Sequence, residues 1–505
     1  MSQELQTVNI VAPGFMGLNT EDSVLSLDSA FATIADNCVI DKYGRLAARK
    51  GYELLTTNAS QLGSGFIQSI HQFRDSSGNQ VIFSTGNNKI LSGTTTLTNA
   101  TPASYTITAN NWKIVNFNNH AYFFQRGYEP LVYSNTLGAV TKISLHPSYS
   151  GTAPQGHEVL AAYGRLWVAD TASNKSTVYW SDLLVGAAWS GGTSGSIDLT
   201  QVWPDGYDEI VALAAHNNLL IIFGKHSILV YQGADAPATM QLIDTVSGVG
   251  CISRDTVQYI GTDVLFMSPS GLRAFGRTIQ EKSLPMNDLS KNIKTDIISI
   301  VQRETGVIRS LYSAENAFYL VYFPTSTSVF CFDVKGTLEN GAYRVTRWPV
   351  DTFKTFERLT SGDVYVGTSL GIGKYSGHKD NLSPIVVKYF SPNLTFGAPS
   401  KLKILKKLKP TVVGTGTADV SFKWSYGFGG AFSSFSFSLS DYGANAFYGV
   451  SEYGIDNYTA GINYITPNIN ASGNGTSIVV SMEATVVDYF SLQEFNILTM
   501  LGKTV

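Results

Sequence analysis

Three groups of residues have types and spacings that could support chemistry. Asp205, Asp208 and Glu209 follow Trp203-Pro204, and carboxylate pairs of this kind serve glycoside hydrolysis as acid and as base or nucleophile. Acidic loops on strand-rich chains are more often simply solvated, so that reading takes precedence. Five lysines fall within nine residues, at Lys401, Lys403, Lys406, Lys407 and Lys409, and with no acid among them they could touch phosphate. Leu402, Ile404, Leu405 and Leu408 interleave with them. That pattern favours a strand whose lysines guard an exposed edge or a subunit interface. His216 and His226 flank one predicted hairpin and either approach across it or stand apart on the surface. No His/Cys cluster has metal-ligand spacing, no calcium loop occurs, and no Gly-x-Ser-x-Gly surrounds a nucleophile. Cys38, Cys251 and Cys331 are odd in number and far apart, so buried free thiols are expected. No catalytic, cofactor-binding or metal residue is assigned, and the chain is not read as an enzyme.

The elements that would position such residues follow from composition. In 505 residues only 14% are charged, against about 25% in an average soluble domain. Aromatics reach 12%, and side chains of this kind suit pleated, half-buried surfaces. The expectation is an all-β protein. A net charge of −3 argues against a basic face that wraps nucleic acid. No secretory signal opens the sequence and no apolar run would span a membrane, so folding in a cytoplasm, without membrane insertion, is expected.

One pattern recurs along the chain: an alternating strand, an Asn- or Gly-containing turn, an apolar strand, another turn, and a strand rich in Tyr or Phe. Its copies are Phe66–Gly93, Lys113–Ser134, Glu158–Asp182, Ile210–Gly233, Asp255–Gly276, Arg309–Val334 and Lys354–Gly377. Units of about 40–50 residues with three or four strands are the signature of a β-propeller. Seven blades are expected over residues 61–380, or six if one irregular copy belongs elsewhere. Alternation turns Ile221, Phe223, Val264, Phe266, Val321 and Phe323 into the core between blades. Ser268-Pro269-Ser270-Gly271 fits a type I turn.

The flanks differ. Residues 1–60 are read as a docking segment with one short helix near Asp28–Cys38, and residues 381–505 as a separate β-sandwich-like domain. The N-terminal segment is too short for its own core, yet it carries Phe15, Met16, Leu18, Leu25, Leu27 and Phe31. These must pack on the C-terminal domain, on a neighbouring subunit, or on both, and are the candidate subunit interface. Deleting residues 1–50 is expected to leave soluble, β-rich material that no longer assembles.

Three patches carry a resemblance. Gly14-Phe-Met-Gly-Leu-Asn-Thr-Glu-Asp-Ser23 with Ala35-Asp-Asn-Cys38 and Gly44-Arg-Leu-Ala-Ala-Arg-Lys-Gly51 forms the first. Gly248-Val-Gly-Cys251 through Asp255, with Val264–Phe275, is the second, and Leu492–Leu498 with Gly502-Lys503 the third. Together they resemble the tail nozzle, or tail tubular protein B, of short-tailed bacteriophages. The resemblance implies a homohexameric ring of the virion tail, made in the bacterial host's cytoplasm. It implies contact with a tail adaptor protein, docking of tail fibres or spikes, and transient passage of double-stranded DNA. No catalytic residue or cofactor carries over. Two other readings stay open: a carbohydrate-binding or glycoside-active propeller for receptor recognition, and a plug stabilising packaged DNA.

Overall fold

The computed structural model describes residues 5–11, 15–281, 288–415, 418–427, 430–442 and 463–504; Gly14 of the first resemblance patch lies outside them. The protein is all-β, and a β-propeller forms its body. Seven groups of antiparallel strands succeed one another between Ser69 and Tyr375; the first five are separate small sheets and the last two run on into a 14-stranded sheet shared with the flanks. Their first strands are Ser69–Arg74, Lys113–Phe117, Gly156–Ala162, Ile210–His216, Gln258–Tyr259, Arg309–Ser313 and Thr355–Arg358. Each adjoins the next, the fifth mainly through the short helix Arg254–Thr256, and the last returns to the first.

Local sequence explains the hairpins. Asn87-Asn88, Asn118-Asn119 and Asn217-Asn218 all have positive φ, the backbone that two-residue type I′ turns require and that Asn tolerates. Packing follows from strict alternation. In strand Leu219–Gly224, Leu220 and Ile222 face Trp167 and Ala169 of the third sheet. Ile221 and Phe223 face Val264 and Phe266 of the fifth. Both faces of a blade are therefore buried, which is why neighbours must stack. Val321 and Phe323 are buried in the next such core.

The fifth sheet departs from the repeat. It has three strands, ending at Gly271–Ala274, and continues into helix Phe275–Glu281 and, later, helix Lys294–Arg303. The latter buries Ile297, with Ile300 and Val301 packed on the same core, at helical i, i+3, i+4 spacing.

The flanks are not independent units. Two sheets pack face to face over one apolar core. One holds Leu5–Val11, Cys38–Ile40, Leu46–Ala48, Lys401–Gly414 and Phe490–Thr504; the other holds Ile34–Asp36, Ser383–Phe390, Ala418–Tyr426, Ser433–Ser438 and Ile478–Val486. The sandwich is thus built from both ends of the chain. The helix expected at Asp28–Cys38 does not form. The Asp28 carboxylate accepts the Ala30 N–H at 2.8 Å, Asn37 takes φ 56°, and the residues between them pair as short strands. Long-range pairing overrides the local helical signal.

The boundary at residue 60 also moves. Tyr52–Leu54 is the outer strand of the last propeller sheet, paired with Ile372–Tyr375, so a strand from before the first blade closes the ring. At the crossing from sandwich to propeller the chains approach closely: a Cβ on Gly51 would lie 1.8 Å from the Lys379 carbonyl oxygen. Gly51→Ala is expected to cost about 1–3 kcal/mol through forced backbone movement, read from chemical denaturation; no loss would contradict the close approach. Polar bonds also cross the seam. Arg347 makes two bonds to Asp36 at 2.9 and 3.0 Å. Arg49 makes two to Asp380 at 2.8 and 2.6 Å, and Trp348 Nε1 donates to the Cys38 carbonyl at 2.8 Å.

These placements change the candidate interface. Phe15 is 1% exposed in the sandwich core, and Leu18 is buried in the core of the fifth and sixth sheets; neither is free to bind a neighbour. Met16, Leu27 and Phe31 are half-buried and Leu25 is exposed.

Candidate functional site at the propeller axis

Of the residues singled out for chemistry, some are held in structural roles, His216 and His226 are separated, and Asp205 is exposed. Asp208 is buried, and its carboxylate accepts the N–H groups of Glu209, Lys225, His226 and Ser227 at 2.8–3.0 Å. It pins the turn before strand Ser227–Gln232. Glu209 pairs with Lys175 at 3.1 Å and Lys225 at 2.6 Å, and these bonds hold its carboxyl below the usual carboxylate range. His216 and His226 lie at opposite ends of strand Leu219–Gly224 and do not meet. The histidines that do meet are His120 and His146, with Nε2 atoms 3.2 Å apart.

The lysine strand is not an edge. Lys401–Gly414 pairs with Phe490–Thr504 on one side and with Asn463–Ile465, Ile469–Asn470 and Asn474–Gly475 on the other. Lys403 is fully buried, its ammonium donating to the carbonyls of Ala398 and Lys401, so it leaves the set of phosphate contacts. Lys401, Lys406 and Lys407 are exposed and Lys409 is half-buried. A bulge between Leu405 and Lys407 lets two consecutive lysines face solvent. All three cysteines are buried free thiols; burial pushes the Cys251 thiol up to about 11, away from reactive thiolate character.

A dense polar cluster lies elsewhere, where the first strands of the sheets begin around the axis. Arg254, at the fifth sheet, donates from Nη2 to the carbonyl and Oδ1 of Asn111, at the second, at 2.7 and 3.0 Å. Arg309, from the sixth sheet, donates to the same Oδ1 at 2.7 Å and to Asp255 at 2.5 Å. Asn111 and Arg254 are 143 residues apart, and their bond crosses the axis. Beside them Lys113 donates to both oxygens of the fully buried Glu158 at 2.8 Å, and Arg126 pairs with Asp170. Asn111 Nδ2 lies 3.5 Å from His157 Nε2, which fits an acceptor Nε2 and a proton on Nδ1. The bonds among Arg254, Asn111, Arg309 and Asp255 tie the second, fifth and sixth sheets together in a knot across the axis.

Electrostatics follow from burial. Desolvation and then Arg254 and Arg126 push the His157 imidazole down to about 2, so it is neutral. Desolvation raises the Glu158 carboxyl despite Lys113. Burial also pushes Asp255 up, but Arg309 and Arg254 outweigh it and hold the carboxyl at about 2. An unfolded Asp titrates near about 3.9. Asp255 therefore contributes stability that is complete above about pH 4 and is lost as pH falls towards 2, about 2–3 kcal/mol in all. The stability difference between wild type and Asp255→Asn, from urea denaturation, is expected to shrink over that window; a constant difference would contradict the pairing.

Sequence reasoning passed over this site, although a signal was present. Five of the seven copies of the repeat open on a charged residue, Lys113, Glu158, Asp255, Arg309 and Lys354, a recurrence that points to charges gathered where the blades begin. Among the described residues no group of three or more His, Cys, Asp or Glu is placed to hold a metal ion, and no helix is long and apolar enough to cross a membrane.

Neither a protein-family model nor a curated protein sequence matches the chain. Similar solved structures include the WD40 domain of Neurospora crassa Pan2, at 10% identity over 65% of this chain and 95% of that one, TM-score 0.36. YCF48 bound to D1 peptide is similar at 9% identity, covering 70% and 99%, TM-score 0.37. An extracellular domain from B. thetaiotaomicron is similar at 12% identity and TM-score 0.40; the match covers 66% of this chain and 41% of that one.

Proposed function

We propose that the chain is a structural subunit of a tail nozzle ring of a short-tailed phage, a conduit and closure for DNA ejection without catalytic activity. The observation that carries this reading is the meeting of two of the sequence patches that resemble the family. Leu46 and Ala47 of the first patch pair with Leu492 and Ser491 of the closing strand, and Phe15, Cys38, Leu492 and Phe495 share one core. Two segments at opposite ends of the sequence thus make one sandwich. The second patch supplies Arg254 and Asp255 to the axial knot. With side chains bonded across the propeller axis, DNA would have to run along the axis of an oligomer rather than through one propeller. Lys401, Lys406, Lys407 and Lys409 remain the proposed DNA or subunit contacts, and Leu25 with Val24, both exposed, the proposed subunit contact at the N-terminal segment.

The second reading, a sugar-binding propeller, draws on a cleft of about 770 Å³ lined by Phe83, Tyr133, Lys142 and Leu145. Light scattering of the purified chain together with a glycan array separates the two. Six copies without sugar affinity support the nozzle; a monomer that binds or cleaves a defined glycan overturns it.

A further inference from the structure

We propose that the axial cluster holds a single halide-sized anion, chloride in the cell, against Arg254 Nη1 and His157 Nδ1–H. The proposal stands on charge and hydrogen-bond balance at the knot and is independent of the nozzle reading. The cluster contains four cationic side chains and three carboxylates. Lys113 is matched by Glu158, Arg126 by Asp170, and Arg309 by Asp255. Arg254 is left to share Asp255, its Nε 3.5 Å from the carboxylate Arg309 already holds at 2.5 Å. Arg254 is 3% exposed, and a buried charge without its own counter-ion is costly.

The free donors agree with the charge. Among the described residues, Arg254 Nη1 and His157 Nδ1 are both buried atoms without a hydrogen-bond partner. Both side chains contact Asn111, so both orphans belong to one cluster. Each is a donor: the guanidinium can only donate, and His157 Nε2 faces the Asn111 amide, which leaves the proton on Nδ1. An anion held between them would satisfy both and supply the missing negative charge, whereas a cation could satisfy neither.

The geometry also selects among anions. Phosphate and carboxylate prefer the two-nitrogen fork of a guanidinium. On Arg254, Nη2, which both forks of a guanidinium require, is bound to Asn111, so no fork is open; Nη1 and Nε are left without hydrogen-bond partners, Nε 3.5 Å from Asp255. A spherical anion needs no fork.

The test uses the full chain at constant ionic strength with gluconate as the background anion. Adding chloride or bromide is expected to raise the melting temperature saturably, since a ligand of the native state alone stabilises it by mass action. Arg254→Met, which removes the donor and charge while keeping bulk, is expected to lose the response. If that variant does not fold, bromide-soaked wild-type crystals give the second reading, with an anomalous peak expected between Arg254 and His157. The proposal is overturned by a wild-type response no greater than in gluconate, by an equal response in Arg254→Met, or by bromide bound only elsewhere. Saturation by phosphate at lower concentration than chloride would also overturn it.

Discussion

Removing residues 1–50 is expected to unfold the sandwich rather than merely to dissociate an assembly. The deletion takes away strand Leu5–Val11, which pairs along its whole length with Phe490–Thr504, together with Ile34–Asp36, Cys38–Ile40 and Leu46–Ala48. It also removes Ile10, Phe15, Ile40 and Leu46 from the sandwich core and Leu18 from the propeller. At about 1.5–3 kcal/mol per buried large apolar side chain, these five alone amount to roughly 7–15 kcal/mol, as much as the whole stability of a typical domain. Their former partners, among them Tyr389, Phe490 and Phe495, would face water. The expectation of a soluble fragment that only fails to assemble is therefore corrected. Limited proteolysis should show rapid loss of residues beyond about 380, with aggregation. A soluble fragment that melts cooperatively at the wild-type temperature would contradict this account.

Truncating Phe266 to Ala is expected to cost about 3–5 kcal/mol, because a fully buried aromatic side chain is lost and its site can close only partly. Phe266 is 0% exposed, sits in the middle strand Val264–Ser268 of the fifth sheet, and packs on Phe223 of the fourth sheet with ring centroids 4.9 Å apart. The fifth sheet has only three strands, so its contact with the fourth has few substitutes. Urea denaturation with an unchanged slope should report the loss. A cost below about 1 kcal/mol would mean that this blade interface does not bear on global stability.

What the sequence disclosed depended on the range of the interaction. Strand alternation and Asn-rich turns are local, so the repeat and the buried faces of Ile221, Phe223, Val264 and Phe266 could be read directly. Helix Lys294–Arg303 was also legible in Ile297, Ile300 and Val301, but it interrupts a repeat that directed attention to strands. Asp28–Cys38 was misread because its pairing partners lie hundreds of residues away, on Ser383–Phe390. Lys403 was misread for a related reason. Alternation with leucines fits a strand, but only the partner strands on both sides reveal that it is central. The axial knot was the least accessible. Ring closure brings Asn111, Arg254 and Arg309 together, and nothing within one blade tells which polar side chains will meet across the axis.

As a subunit of the proposed nozzle, the chain would work as one of six copies around an opening that is not the propeller channel. Electron cryo-microscopy of the assembled chain tests it most directly. The account predicts a six-fold ring whose axial opening admits duplex DNA, with the Arg254–Asn111–Arg309 knot bonded across each propeller axis. Particles that are single chains, or a ring whose only open path runs through the propellers, would contradict it.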